Sequence, residues 1–233
     1  MTTLNQFLNV ILFMALPYVV AVTFLLVSIY RYRTQPFTYS SLSSQFLENK
    51  SHFWALVPFH YGIILVLAGH FLAFFIPRGV LAWNSVPLRL YALEITGLAL
   101  GVMTIVGLIA GLVRRFTTPQ LRMVTSPLDW TLYGLLVTQV LTGIGVAVMY
   151  PWGSSWFAAT MTPYLWSIVK FSPDTSYVAG LPWLVKAHIL NAYVLLWVWP
   201  FTRLAHVLVV PNPYLWRRTQ VVRWNSVTET KAR

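Results

Sequence analysis

Long apolar segments, almost free of charged residues, constrain the fold of this chain more than any other feature. Five of them are long enough to cross a hydrocarbon core of about 30 Å, which takes about 20 helical residues. They lie at about residues 5–29, 52–76, 88–113, 127–150 and 183–210. Charged residues make up 9% of the chain, whereas a soluble domain carries about a quarter. We therefore predict an all-α integral membrane protein, a single domain over residues 1–233 with five transmembrane helices.

The longest connection lies between the fourth and fifth apolar segments. Residues 151–180 are rich in aromatic side chains, including Trp152, Trp156 and Trp166, but contain no apolar run of spanning length. Aromatic rings concentrate at the headgroup level of a bilayer. We expect this stretch to form an interfacial helix that lies on the membrane.

The distribution of Lys and Arg predicts the orientation of the chain. One side of the membrane would carry Arg31, Arg33, Lys50, Arg114, Arg115, Arg122, Arg217, Arg218, Arg223, Lys231 and Arg233, and the other side Arg78, Arg89, Lys170 and Lys186. Because basic residues accumulate in cytoplasmic connections, the first side is cytoplasmic. The N-terminus would then lie outside and the C-terminus inside a cytoplasmic membrane. The net charge of +11 needs no nucleic-acid partner, since no soluble domain offers a basic face.

The absence of cysteine limits the cofactors that this chain can hold. With 0 Cys, it forms no disulfide, binds no iron–sulfur cluster through thiolates and attaches no c-type haem covalently. Any metal would be held by His, Met, carboxylate or carbonyl groups.

Four histidines lie inside the apolar segments, where polar groups are costly and usually functional. His60 and His70 belong to the second segment, and His188 and His206 to the fifth. These two helices run antiparallel, so His70 faces His188 in the outer half and His60 faces His206 in the inner half. Two imidazoles across an iron are the ligand set of a b-type haem. We predict two such haems.

The spacing of the histidines differs between the two helices. Ten residues separate His60 from His70, a rise of about 15 Å, and eighteen separate His188 from His206, a rise of about 27 Å. A tilted fifth helix, tilted haems or a bend at Pro200 would absorb the difference. The alternative is that these are ordinary hydrogen-bonded histidines, which is the interpretation that we favour for His52 at the end of its helix.

Several short motifs around these histidines resemble the gamma subunit of respiratory nitrate reductases. They are Phe59-His60, Gly69-His70-Phe71, Lys186-Ala187-His188 and the run from Pro200 to His206, with Arg31-Tyr32, Ser43 to Leu47 and Asp129 as further matches. The similarity covers about residues 5–224. It implies a five-helix dihaem cytochrome b with the outer haem on His70 and His188 and the inner haem on His60 and His206.

The resemblance also implies an activity and partners. Quinol from the quinone pool would be oxidised near the outer haem, and electrons would pass inward to an iron–sulfur beta subunit on the cytoplasmic face. A molybdenum-containing alpha subunit would then reduce nitrate, so no catalytic residue for that reduction is expected in this chain.

Gly69, His70, Arg89 and Glu94 are the candidate residues for binding quinol. Gly69 would let a flat ring approach the backbone, or it would serve helix packing instead. The family has a lysine on the outer side where this chain offers only Arg89. Glu94 is the only carboxylate inside a span other than those at helix starts; it would accept a quinol proton or, as we favour, pair with a nearby cation.

Arg203 and Arg114 are the candidate partners of a haem propionate, because arginine pairs well with carboxylates. Anchoring of the cytoplasmic side is the alternative for both residues. Asp129 follows Ser126 and Pro127 and is best explained as part of a helix start.

Two other functions stay open at the level of the residues. The first alternative is a haem-free transporter or scaffold whose histidines line a proton or metal path. Five spans without an internal repeat weigh against this alternative. The second alternative is a dihaem anchor that serves a different redox complex.

Overall fold

The computed structural model describes residues 2–35, 38 and 52–208, and these ranges are helical apart from short connections. Within them, five helices are long and apolar enough to cross a membrane. They are Gln6–Thr34, Phe53–Phe75, Pro87–Thr117, Pro127–Met149 and Trp183–Phe201. The predicted five-span, all-α architecture is therefore confirmed. The matches from Ser43 to Leu47, the end of the fifth segment beyond residue 208 and the basic tail lie outside the described residues.

We number the helices in chain order. They are α1 (Thr2–Val10 and Leu16–Thr34, joined by the π-helical turn Ile11–Ala15), α2 (His52–Phe75), α3 (Pro77–Asn84), α4 (Pro87–Thr117), α5 (Pro119–Met123), α6 (Pro127–Met149), α7 (Gly153–Trp156 and Thr162–Val169, joined by the π-helical turn Phe157–Met161), α8 (Ser176–Ala179) and α9 (Trp183–Val198). Helices α3 to α6 each begin with proline. Proline suits this position because its missing N–H would have no partner in the first turn. Helix α3 was not predicted.

Helices α2 and α4 approach each other backbone to backbone. A methyl group added at Gly107 would overlap the backbone of Phe59, and one added at Gly62 would overlap the side chain of Thr104. Small residues allow such close contact between membrane helices. This contact places the helix that carries His60 directly against α4.

The predicted helix between the fourth and fifth spans is present as α7, and it packs into the bundle. Tyr164 is fully buried, and its hydroxyl donates a hydrogen bond of 2.7 Å to the carbonyl of Phe13. Pro17, four residues after Phe13, has no N–H to offer that carbonyl. Burial, assisted by Tyr193, raises the pKa of Tyr164, so the hydroxyl keeps the proton that it donates. The depth of α7 relative to the bilayer stays a prediction.

The fifth segment bends at Pro200, as the unequal histidine spacing suggested. Helix α9 ends at Val198 and gives way to two 3₁₀ segments, Trp199–Phe201 and Arg203–Leu208, with extended backbone at Thr202 between them. Arg31, at the end of α1, donates hydrogen bonds to the carbonyls of Pro200 and Thr202 at 2.5 and 3.2 Å. These bonds satisfy carbonyls that the broken helix leaves open, and the bend redirects the segment that carries His206.

Candidate functional site

A cavity of about 440 Å³ lies between α2, α4, α6 and the 3₁₀ segment after α9. It is lined by Ala55, Leu56, Phe59, His60, Gly107, Leu108, Gly111, Arg115, Asp129, Leu132, Tyr133, Leu136, Arg203, Leu204 and His206. Its size falls within the range of pockets that bind small molecules and cofactors. The structure thus places His60 and His206, the predicted inner pair, in the wall of one largely apolar cavity.

Both histidines of this cavity have one ring nitrogen engaged by the backbone. His60 Nδ1 lies 2.8 Å from the carbonyl oxygen of Leu56, and His206 Nδ1 lies 2.5 Å from that of Arg203. A carbonyl oxygen only accepts, so Nδ1 carries a proton in each ring, and the neutral imidazole then has its lone pair on Nε2. Iron-binding histidines in proteins have this arrangement, in which the second nitrogen donates to a carbonyl.

Asp129 and two arginines are the charged side chains that line the cavity. Asp129 and Arg203 form an ion pair, with 2.7 Å between Oδ1 and Nε. Asp129 also forms the expected helix start: its carboxylate accepts from the N–H of Ser126, and its own N–H donates to the Ser126 hydroxyl. The ion pair was not predicted, because residues 129 and 203 meet only through the tertiary structure.

Arg115, and not the predicted Arg114, is the helix α4 arginine that lines the cavity. Arg115 donates to the hydroxyl of Thr125 at 2.8 Å and lies 5.1 Å above the ring of Tyr133. Arg114 is buried elsewhere, with 6% of its surface exposed. Arg115 follows Gly107 and Gly111 at intervals of four residues, so the three share one face of α4. The structure shows that this face lines the cavity.

His70 and His188 form the predicted outer pair. His70 is close enough to His188 for the two rings to interact electrostatically. His70 Nδ1 lies 2.8 Å from the carbonyl oxygen of Val66, which repeats the arrangement of the inner pair. Its ring meets that of Phe157 edge to face, with 5.3 Å between centroids. A methyl group at Gly69 would find no atom within 4 Å, so Gly69 does not serve helix packing in the described part of the chain.

His188 differs from the other three histidines, because its ring nitrogens contact side chains of α6. Thr142 Oγ1 lies 3.0 Å from Nδ1, and Gln139 Nε2 lies 3.2 Å from each ring nitrogen. Gln139 is held in turn by Asn191. Sequence reasoning missed these three residues, although polar side chains at helical spacing within an apolar span were an available indication.

Arg89 and Glu94, the two remaining candidates for binding quinol, contact Trp83 and Ser154. The Arg89 guanidinium lies 5.2 Å from the centre of the Trp83 ring. Glu94 accepts hydrogen bonds from the backbone N–H and the hydroxyl of Ser154, at 2.8 and 2.5 Å. The expectation of a cationic partner for Glu94 was wrong for the part of the chain that the structure covers. Its carboxylate instead lies at the N-terminus of α7, where a helix favours negative charge.

No group of three or more His, Cys, Asp or Glu side chains gathers into a metal cluster within residues 2–35, 38 and 52–208. A haem would need no such cluster, because the porphyrin would supply most of the ligands of the iron and the chain would add imidazoles. The paired histidines fit this donor set.

Comparison with known proteins identifies similar chains over almost the whole length. Residues 9–225 match the protein family described as nitrate reductase gamma subunit. The chain is 33% identical to the nitrate reductase gamma chain of Bacillus subtilis, over 93% of this chain and 98% of that one. It is 31% identical to the respiratory nitrate reductase 1 and 2 gamma chains of Escherichia coli, in each case over 94% of this chain and 98% of the other. The matched region contains all four histidines of the spans.

Proposed function

The chain belongs to the nitrate reductase gamma subunit family, and from this we propose that it is the quinol-oxidising, two-haem subunit that anchors a nitrate reductase-like complex in the membrane. His70 and His188 would hold the outer haem b, and His60 and His206 the inner one. When bound, each haem would supply a one-electron carrier. The chain itself would supply the spans, the histidines that hold the iron and the surroundings that exclude water.

The observation that carries this proposal is the inner cavity. It contains two imidazoles from different helices, and each ring has its Nδ1 proton on a carbonyl and its Nε2 lone pair available. A proton-conducting or transport path would instead favour water and further ionisable groups along the spans. The cavity wall is mostly apolar, and its charged side chains are those of Arg115, Asp129 and Arg203.

Those charged groups suit the propionates of a haem. Arg203 and Arg115 both line the cavity, and Asp129 holds the Arg203 guanidinium at 2.7 Å. Guanidinium groups bind carboxylates through short charge-assisted hydrogen bonds. We assign the propionate contacts to Arg203 and Arg115, and no longer to Arg114.

Quinol would be oxidised on the outer side, beside His70 and the open space at Gly69. Each quinol would give two electrons and two protons, with the protons released outside and the electrons passing inward. Arg89 and Glu94 would contribute only from the edge of this site, where Trp83 and Ser154 hold them. An iron–sulfur subunit on the cytoplasmic face would take the electrons, and a molybdenum-containing subunit would reduce nitrate.

The decisive experiment is a haem count with a visible spectrum on the complex purified in detergent. We expect two non-covalent b haems per chain, both low-spin and both reducible by a quinol analogue. A count below two haems would mean that at least one of the two histidine pairs does not bind haem. A chain with no reducible haem would overturn it and favour a haem-free transporter.

A further inference from the structure

A polar network from two helices surrounds the ring of His188 within the bundle. Thr142 and Gln139 reach it from α6, and Asn191 approaches from the next turn of α9. All four side chains lie within candidate membrane spans. Polar groups at such positions are costly unless they are paired, so this group has a specific geometry to maintain.

The Thr142 hydroxyl determines which nitrogen of His188 carries a proton. A hydroxyl has one proton to donate, and that of Thr142 lies 2.7 Å from the carbonyl oxygen of Thr138 on its own helix. The contact with Thr138 is the shortest that this hydroxyl makes, since the carbonyl oxygen of Gln139 is at 3.1 Å and His188 Nδ1 at 3.0 Å. We therefore assign the hydroxyl proton to Thr138 and let Thr142 Oγ1 accept from His188 Nδ1. The proton of the imidazole is then on Nδ1, and the lone pair is on Nε2.

Gln139 restrains the ring without blocking that lone pair. Asn191 donates to Gln139 Oε1 at 2.7 Å and to the carbonyl of Leu135 at 3.0 Å, which turns the Gln139 amide nitrogen towards the ring. This nitrogen is equally far, 3.2 Å, from Nδ1 and Nε2 of His188. A group on the lone-pair axis of Nε2 would be much farther from Nδ1. The amide therefore lies against the ring and away from that axis.

Gly143 also borders the imidazole ring of His188. A methyl group at Gly143 would lie 3.0 Å from His188 Cε1, closer than carbon atoms normally approach. The imidazole is thus pressed against the backbone of α6, and its plane is set by three neighbouring residues of that helix.

We propose that Thr142 is the positioning residue of His188, with Gln139 and Asn191 as its support, and that it adjusts the electron-donating strength of the outer axial ligand. This inference rests on the proposed function. His60, His70 and His206 donate to carbonyls of their own segments, whereas His188 donates to a hydroxyl on another helix. Such second-layer partners fix the ring and raise the basicity of the ligand.

The test is a redox titration of the intact complex in which Thr142 is replaced by Val or by Ser. Thr142→Val keeps the shape and removes the acceptor, so the Nδ1–H donation is lost and Nε2 becomes a weaker donor to iron. We expect a shift of the outer haem to a more positive midpoint potential, with the inner haem unchanged. Thr142→Ser should restore the original potential. Thr131→Val is the matched control, because Thr131 is an exposed threonine of the same helix whose hydroxyl donates to the carbonyl of Pro127.

The outcomes separate this inference from the proposed function. Wild-type complex without two haems would refute the proposed function, whatever the variants do. Two haems in wild type with an unshifted outer potential in Thr142→Val would refute the positioning role alone. If Thr142→Val fails to assemble, Gln139→Leu gives a second measurement: loss of the restraint on the ring should broaden or shift the low-spin spectroscopic signature of the outer haem only. An unchanged signature would contradict the inference.

Discussion

Replacement of Asp129 by Ala should lower the free energy of unfolding by about 3 kcal/mol. The change removes the acceptor for the Ser126 N–H, and loss of such a cap costs about 1 kcal/mol. It also breaks the ion pair with Arg203, in which the side chains are 6% and 23% exposed. Breaking a fully buried pair costs about 3–5 kcal/mol and an exposed one about 0–1, so about 2 kcal/mol is appropriate here.

A loss of about 3 kcal/mol corresponds to a fall of about 6–12 °C in the melting temperature for a chain of this size. The assay is thermal unfolding of the complex in detergent, followed by the visible spectrum. Asp129→Asn should cost less, because the amide oxygen can still accept from Ser126 while the charge is lost.

Asp174→Ala is the matched control for this prediction. Like Asp129, Asp174 accepts a hydrogen bond from a nearby backbone N–H, that of Ser176, but its side chain is exposed. We expect a clearly smaller fall in melting temperature. An Asp129→Ala shift no larger than that of Asp174→Ala would refute the reasoning, because it would mean that the ion pair with Arg203 contributes nothing.

Three further predictions concern the histidines and the contact between α2 and α4. Replacing either His70 or His188 by Ala should remove one haem and abolish quinol oxidation; a haem count of two in either variant would contradict the pairing. His206→Ala should leave the outer haem reducible by quinol and stop nitrate-dependent reoxidation, so a normal reoxidation rate would argue against an inner haem at this position. Gly107→Ala should lower the melting temperature, because its methyl group overlaps the backbone of α2, whereas Gly97→Ala should be nearly neutral since its methyl group meets no atom within 4 Å. Equal effects of the two substitutions would show that the close helix contact is not stabilising.

The two predicted haem sites depend on different structural features. The inner cavity depends on the end of helix α9 at Val198. Arg31 binds the carbonyls of Pro200 and Thr202, and the 3₁₀ segment that follows brings His206 towards α2. The outer pair depends on side-chain hydrogen bonds between α6 and α9, including that from Asn191 to Gln139. Substitutions at the bend should therefore affect the inner site, and substitutions in the network the outer site.

The sequence by itself determined the features that depend on local composition. Five apolar runs of spanning length predict five helices, since a backbone in lipid has to satisfy its own hydrogen bonds. The helix start at Ser126 to Asp129 could also be predicted, because the two residues that bond to each other are only three positions apart. The pairing of His60 with His206 and of His70 with His188 followed from the antiparallel direction of two spans. The structure places His60 and His206 in the wall of one cavity, and the binding of haem by either pair stays a prediction.

Only the tertiary structure decided which side chains meet across helices. Arg114 and Arg115 are adjacent in sequence but about 100° apart around α4, so composition could not tell which one lines the cavity. The partners of Glu94, Arg203 and His188 lie 60, 74 and 46 residues away along the chain. A hydrogen bond or an ion pair acts over about 3 Å in space, and separation along the chain carries no information about that distance.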